Sequence, residues 1–563
     1  MSRSVAVIGG GVAGMTVAQE LASRGYQVTI YEGSDVMGGK ACSTGVPGTA
    51  GDGKKPLPGE HGFHFIPSFY QHVTATMRSI PFGAHSVYEN LVEADRMLLG
   101  FAGHEPLVFP THFPRSIAEV KLFVKLYKGA LELGVSFDDF FFLAKKLFQF
   151  ATSCAERIED DYDKLGWFDF IEAESRSPEF RKILGNALTQ DWTAARGKVA
   201  NTRTMGEIAL QFAYGMMRPW MTADRLFNLP MNDAWLDAWV VLIRQLGIDI
   251  QLRSELIKVE LDGDRVSGLR LRAPDGRERS VQADHYVLAL AVENLVPVLD
   301  DEIMAADASL KALAELDETL AWMNGLQLFL YEDLPICKGH QSYLTSAWGL
   351  TSVSEAQFWP GFDWSEAGDG KTRGVLSIIL SDWDRADEKL GLPKAREADR
   401  ETLIDGVLQQ INADLVGQPD LRRSDISHVF FDPGLHFEEG PRPKVSNDTK
   451  LLMNAVNTWG MRPNSFTEIP NLFLAGDWVR TQTNLACVEG ANESGRRAAI
   501  RILANDGYKG SYPRLFPYYR PWILAPWRWY DRQRKRAGLP WKMSGPFAWL
   551  GALFKRPGQR WLG

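Results

Sequence analysis

Two glycine-centred segments carry the residue types that could do chemistry. The first is Gly9-Gly-Gly-Val-Ala-Gly14, which follows the apolar run Ser4-Val-Ala-Val-Ile8 and precedes a segment of helical periodicity, Met15 to Arg24. A strand, a GxGxxG turn and a helix together make a phosphate cradle. Gly9 makes the tight turn, Gly11 lets the backbone approach a pyrophosphate, and Gly14 allows the helix to pack closely on the strand. Ala13 lies in the same turn, at the helix N-terminus that holds the phosphates. A second run, Gln27-Val-Thr-Ile-Tyr31, ends in Glu32. A carboxylate there accepts hydrogen bonds from ribose hydroxyls and repels a 2′-phosphate, so FAD or NAD is expected and NADP is not.

The second segment lies near the other end of the chain. Pro470-Asn-Leu-Phe-Leu-Ala-Gly-Asp477 reads as a buried strand ending in Gly476 and Asp477, a carboxylate placed to bond the ribityl or pyrophosphate region. After it, Gly490, Ala491, Ser494 and Gly495 recur at helical spacing, and such a helix can bring its N-terminal amides against the flavin end of a cofactor. Both ends of the chain therefore grip one dinucleotide, joined by Met37-Gly-Gly-Lys40 with its Gly39 and Lys40. A second GxGxxG in strand-helix context is absent, so no separate NAD(P)H module is expected. Electrons taken from a substrate then leave to something that diffuses in, a quinone or oxygen, and hydride transfer to flavin N5 is the expected chemistry.

These motifs carry a family resemblance. VAVIGGGVAGMTVAQELASRGYQVTIYEGSDVMGGK and NLFLAGDWVRTQTNLACVEGANESGRRAA resemble the FAD-dependent amine oxidase and phytoene desaturase superfamily. Within it the chain looks most like plant-type and cyanobacterial-type phytoene and ζ-carotene desaturases, with hydroxysqualene dehydroxylases as cousins. Glu60-His-Gly-Phe-His64 resembles the acid-x-Gly-x-His element of those enzymes, and Ala486-Cys-Val-Glu-Gly-Ala491 resembles their Ser-Met-Glu-Gly-Ala. The resemblance implies FAD as cofactor, His64 near the flavin with Glu60 orienting it or bonding ribityl hydroxyls, and the Val259 backbone against adenine. Two positions depart from the family pattern. Lys40 replaces an Arg, keeping a cation near the phosphates without the bidentate fork, and Val488 replaces a Met, keeping the backbone amide. Arg462, just ahead of the Gly-Asp strand, is a further candidate for the cavity wall.

The implied fold class is α/β: a Rossmann-type FAD-binding domain, glutathione-reductase-like, interleaved with a mixed-sheet substrate domain and a helical cap. The FAD-binding parts are expected at 1–95, 246–300 and 451–507, the helical cap at 96–245 and the substrate sheet at 301–450. Strand patterns at Ile257 to Leu290, Trp322 to Leu330 and Val375 to Ser381, and a helix at Glu397 to Leu415, fit that division. From Ser116 to about Ala155 apolar residues recur at three and four, through Val120, Phe123, Val124 and Tyr127 and then a Phe-rich second helix. That pattern fits a buried face, a wall of the substrate tunnel or a membrane-facing cap.

Composition sets the remaining bounds. The 563 residues are 45% hydrophobic and 23% charged, with a net charge of -8, as for a folded globular protein. Four cysteines without CxxC spacing give neither a zinc site nor a disulfide framework, and a cytoplasmic location is expected. No run is apolar enough to span a bilayer. The net charge hides an asymmetry: residues 508 to 563 hold twelve Lys or Arg against Asp531 alone, and six of the 18 Trp. Basic residues interleaved with indoles read as an interfacial segment on a membrane surface, where isoprenoid lipids and quinones both reside. The alternative is a tail that wraps the acidic body; no nucleic acid partner is expected. The favoured function is desaturation of a long isoprenoid such as a phytoene-like carotene. The alternatives are a flavin amine oxidase and a non-redox FAD-dependent lipid isomerase or carrier.

Overall fold

Burial on both faces places the first strand. In Ser4–Ile8, Val5 and Val7 join one core cluster while Ala6 and Ile8 join another on the opposite face. A strand covered on both faces belongs in the middle of a parallel sheet. The computed structural model, which describes residues 3–51, 53–191, 197–218, 221 and 224–543, places it there. Across the five-stranded sheet the order is Asp249–Gln251, Gln27–Tyr31, Ser4–Ile8, His285–Leu288 and Leu472–Leu474, all parallel. The chain leaves Ser4–Ile8 for one neighbour first and reaches the other much later. The strand order therefore reverses at that strand, and a crevice opens beyond its carboxyl end.

Two helices pack tightly against this sheet. Val12–Ala22 crosses Val488–Asn505 so closely that a Cβ on Gly495 would lie 2.6 Å from the Ala13 carbonyl oxygen. Asn492 Nδ2 ties them by donating to Thr16 Oγ1 at 2.8 Å. The buried Glu489 carboxylate accepts the backbone N–H groups of Gln71, His72 and Val73 at 2.8 to 2.9 Å, capping the helix His72–Ser79 with a negative charge at its positive end.

An antiparallel three-stranded sheet follows: Glu255–Asp262, Arg265–Arg272 and Glu278–Val281. Beyond it stands a seven-stranded sheet in the order Ile426–Phe431, Gly325–Leu330, Gly374–Leu380, Leu350–Ser354, Gly339–Tyr343, Arg96–Phe101 and His104–Pro110. The two strand patterns expected in the second sheet are neighbours here. The expected helix runs Arg400–Asp414, its N-terminus capped by Asp399 accepting from the Thr402 N–H at 2.7 Å.

The cap helices Ile117–Glu132 and Phe137–Thr152 start at Ser116 and Ser136, whose side chains accept from the N–H groups of Glu119 and Asp139. They differ in what they bury. Leu143 and Phe150 of the second reach a core cluster with Trp167, Phe170 and Met205. In the first only Gly129 and Ala130 are buried, while Val120, Val124 and Tyr127 face out.

The C-terminal segment lies on the body as far as residue 541. Phe516 N–H donates to His72 Nε2 at 2.9 Å, and Tyr518 is buried against Phe69. The helix Ala525–Arg536 buries Trp527 beside Phe148 and Asp531 beside Arg157. Cations of this segment meet body acids: Arg532 and Lys535 of the helix reach Glu156 at 2.7 Å and Asp161 at 2.5 Å, and Arg520 ahead of it pairs with Glu207. The acidic body and basic tail thus partly neutralise each other within one chain. The apolar run Phe547 to Phe554 and the cations after it lie outside the described residues. Among the described residues no helix is long and apolar enough to cross a membrane.

Candidate functional site

The crevice at the carboxyl end of Ser4–Ile8 opens into a cavity of about 820 Å³ that reaches the seven-stranded sheet. Its walls on the parallel-sheet side come from the strand ends. Gly9, Gly11 and Ala13 follow the first strand, Glu32 the second, and Gly476 and Asp477 the last; Gly39 and Lys40 come from the turn between. The two glycine turns back each other, with Gly38 N–H donating to the Gly10 carbonyl at 2.9 Å. Gly14 lies behind the wall and acts through packing, since a Cβ there would sit 1.9 Å from the Gly9 carbonyl oxygen.

Glu32 is fixed from below. Its Oε2 accepts from Gly10 N–H at 2.6 Å and its Oε1 from Ser34 N–H at 2.8 Å, so the carboxylate stands at the cavity edge in one orientation. Lys40 Nζ pairs with Glu293 at 2.5 Å and donates to the Lys450 carbonyl at 2.6 Å. Its charge is therefore shared with an acid that also lines the cavity. Asp477 faces the same space; burial pushes its carboxyl up, against the opposing pull of Lys40 and Arg462. Val488 opens the helix Val488–Asn505, and this residue, Ala486, Cys487 and Ala491 put that helix's N-terminus on the wall.

Two expected residues lie elsewhere. Arg462 is buried behind the wall, where its Nη2 donates to the Asp477 carbonyl at 2.9 Å and burial lowers its pKa to about 9. It is a support for Asp477 rather than a cavity residue. Val259 is fully buried, paired with Leu269 across the three-stranded sheet and packed in the core beneath it, so its side chain is spent on packing and it is absent from the cavity wall.

Opposite the glycines, the loop 60–65 is pinned to the seven-stranded sheet by Glu60 N–H donating to Gln327 Oε1 at 2.8 Å. That pin puts His61, His64, Phe63 and Phe65 on the wall, with His340 from the strand Gly339–Tyr343 edge-on to Phe63 at 5.4 Å and tilted against Phe65 at 5.0 Å between ring centroids. Burial pushes His64 down to about 4 and His340 down to about 3, so both imidazoles are neutral at pH 7. Glu60 does not hydrogen-bond His64, from which it stands 3.9 Å away. It accepts instead from Met231 N–H at 2.8 Å and Ser43 Oγ at 3.0 Å.

Glu60 and the buried Glu355 meet through Gln327, and burial raises both carboxyls. Groups whose folded pKa lies above the unfolded one give stability that is present below the carboxylate range and lost as pH rises toward the folded values. Glu60→Gln should accordingly narrow the loss of unfolding free energy between about pH 5 and pH 8. Urea titrations of both proteins at the two pH values check this, and parallel losses would refute it.

The cavity has the parts a dinucleotide needs: a glycine edge free of side chains, a fixed carboxylate at Glu32, and a helix N-terminus beside Asp477. Comparison with known proteins decides the rest. The pattern of the family described as flavin containing amine oxidoreductase matches residues 12–503. The chain belongs to the flavin-containing amine oxidoreductase family. Like that family it takes FAD, which Glu32, the glycine edge, Asp477 and the amides from Val488 would hold. A carotenoid phi-ring synthase of Streptomyces griseus is 25% identical over 528 residues, covering 90% of this chain and 89% of that protein. A probable ζ-carotene desaturase of Synechococcus elongatus is 24% identical over 529 residues, covering 89% and 98%. Among solved structures, putrescine oxidase bound to putrescine has a TM-score of 0.57 at 13% identity, covering 90% of this chain and 99% of its own. An oxidoreductase from Methanosarcina mazei has a TM-score of 0.55 at 15% identity, covering 87% and 98%. These two likenesses concern the fold.

Sequence reasoning missed His61, His340 and Asp432, which also line this amine oxidoreductase cavity. His61 stood in the motif that singled out His64, but nothing in the sequence links it to Asp432.

Proposed function

We propose that this protein is an FAD-dependent oxidoreductase that desaturates or dehydrogenates a long isoprenoid, a carotene-like hydrocarbon. The observation that carries the reading is the electrical neutrality of much of the cavity wall opposite the glycines. His64 and His340 are held neutral, and burial raises the Asp224 carboxyl well above its ordinary range. Phe63, Phe65, Met97, Phe109, Met216 and Ile379 supply apolar surface around them. A wall of that kind suits a hydrocarbon, whereas an ammonium substrate needs an aromatic cage or an ionised carboxylate free to receive it, and the Asp432 carboxylate on this wall is taken up by His61, Asn324, Gly434 and Thr449. The two carotenoid relatives favour the same substrate class. Bound FAD supplies the hydride acceptor; the chain orients a C–H bond toward it and keeps water from the cavity. Anaerobic mixing of the FAD-loaded protein with phytoene, ζ-carotene or a cyclic carotene tests the reading. Bleaching of the flavin's visible band by a carotene is expected, and bleaching by putrescine or cyclohexylamine alone would sink it.

Such a substrate resides in a bilayer, and an outward apolar stripe supports peripheral attachment there, with a quinone or oxygen as electron acceptor. Along Ile117–Glu132 the exposed residues Ile117, Val120, Val124, Tyr127 and Leu131 recur at three and four, with Lys121, Lys125 and Lys128 exposed beside them. The inner side of the same helix sets Phe123 against Phe109, a cavity residue. Trp522, 83% exposed, and Trp529 add indoles from the tail. We expect Val120→Asp with Val124→Asp to weaken binding to anionic vesicles about tenfold or more, since each substitution both removes apolar contact and adds a repelled charge. Vesicle co-sedimentation at low salt measures it; retention equal to wild type refutes the stripe.

A further inference from the structure

Three imidazoles line the cavity, and their surroundings differ. His64 and His340 have no carboxylate within hydrogen-bond distance, and burial, joined at His64 by the neighbouring His61, keeps them neutral. His61 Nδ1 stands 2.5 Å from Asp432 Oδ2. Asp432 is 1% exposed and held on every side: Asn324 Nδ2 donates to it at 2.5 Å, Gly434 N–H at 2.8 Å and Thr449 Oγ1 at 3.1 Å. Burial pushes the Asp432 carboxyl up, but His61, hydrogen-bonded to it, and the Gly434 and Asn324 donors outweigh it and hold the carboxyl below its usual range.

The consequence is a fixed tautomer. An ionised carboxylate only accepts, so His61 Nδ1 carries the hydrogen, and in the neutral imidazole Nε2 carries the lone pair. That Nε2 is buried and has no hydrogen-bond partner in the protein, although its ring lines the cavity. An imidazole on the wall of a substrate space, with one nitrogen unpartnered and a counter-charge on the other, is the arrangement of a general base whose charged form is stabilised by an orienting acid.

We propose that His61, oriented by Asp432, takes the proton that the substrate gives up when its hydride leaves. The inference rests on the oxidoreductase reading above. Two C–H bonds break on adjacent carbons: one hydrogen departs with its electron pair to FAD, the other as a proton to His61 Nε2, and the remaining pair closes a C=C bond. The substrate is oxidised by two electrons and FAD is reduced by two. The proton returns to solvent when a quinone or oxygen takes the electron pair. Asp432 acts through His61 and is a positioning residue.

The test uses the FAD-loaded full chain with ζ-carotene, and with putrescine as a second probe. His61→Gln should slow flavin bleaching about 100-fold or more and abolish the loss of rate toward acid, while FAD content and the flavin spectrum stay as in wild type. Asp432→Asn should move that acid limb to lower pH, because the imidazolium loses its counter-charge. His64→Gln should leave the position of the limb unchanged. If His61→Gln instead loses FAD or alters its spectrum while keeping the wild-type pH profile, Nε2 holds the cofactor and the inference is overturned. If neither probe bleaches the wild-type flavin, the oxidoreductase reading fails first. The pair is then judged separately by ¹⁵N-histidine NMR of the FAD-loaded protein. A His61 titration that moves to lower pH in Asp432→Asn supports the dyad, and one that stays in place overturns it. Should Asp432→Asn fail to fold, disappearance of one titrating imidazole in His61→Gln, at unchanged FAD content, gives the assignment against which the acid limb of the wild-type rate is compared; a mismatch overturns the proposal.

Discussion

Gly14→Val should leave the purified protein almost without FAD. A Cβ at position 14 would sit 1.9 Å from the Gly9 carbonyl oxygen and 3.3 Å from the Ala289 Cβ. The first is a backbone atom that no rotamer change can move away. The helix Val12–Ala22 must slide off the strand, and the turn that faces the pyrophosphate goes with it. Overpacking of this kind costs about 3 kcal/mol, which is about 100-fold in affinity. The ratio of flavin to protein absorbance after gel filtration reads the effect directly. Gly33→Ala is the control, because nothing lies within 4 Å of the added atom. If Gly14→Val keeps a wild-type flavin ratio, the cradle does not depend on this contact.

Asp531→Ala is expected to free the C-terminal segment. Asp531 is the lone acid of residues 508–563 and lies buried at 1% exposure, where it accepts from Arg157 Nε at 3.0 Å and from Cys154 N–H at 2.9 Å. Removing it leaves a guanidinium and an amide buried without that acceptor, a loss of about 3–5 kcal/mol. The docking of Trp527 against Phe148 goes with it. Limited proteolysis should then cut between Ser511 and Arg536 in the variant and spare the wild type. Asp531→Leu combined with Arg157→Met should restore most of the protection, because exchanging a buried pair for apolar residues is often neutral. Equal cleavage of Asp531→Ala and wild type would show that the ion pair does not hold the tail.

The tail also shows what composition leaves out. A +11 segment rich in Trp has the signature of a membrane interface, yet composition does not record which acids it meets in space. Glu156, Asp161 and Glu207 absorb part of that charge within the chain. The helix Ile117–Glu132 errs the other way. Its three-and-four apolar spacing is the pattern of a buried face, but the face turned inward is set by Gly129 and Ala130, whose small size lets the helix approach Leu107, and the larger apolar residues are left outside. Periodicity states that one face differs from the other; packing decides which face is covered.

Local order carried the cofactor. A strand, a glycine turn, a helix and an acid at the next strand end are contiguous in the first forty residues, and their geometry follows from φ/ψ preferences and from the absence of side chains at Gly9, Gly11 and Gly14. The late Gly476-Asp477 strand end was legible for the same reason. The substrate side of the cavity was not. His61 meets Asp432, Glu60 meets Gln327 and Glu355, and His340 meets Phe63 and Phe65 only because the seven-stranded sheet draws distant segments together. Whether an imidazole in such a place is neutral, or paired and able to take a proton, depends on burial and on the nearest carboxylate. Both are properties of the packed chain: desolvation and a charge a few ångströms away act through space, and no spacing along the sequence encodes them.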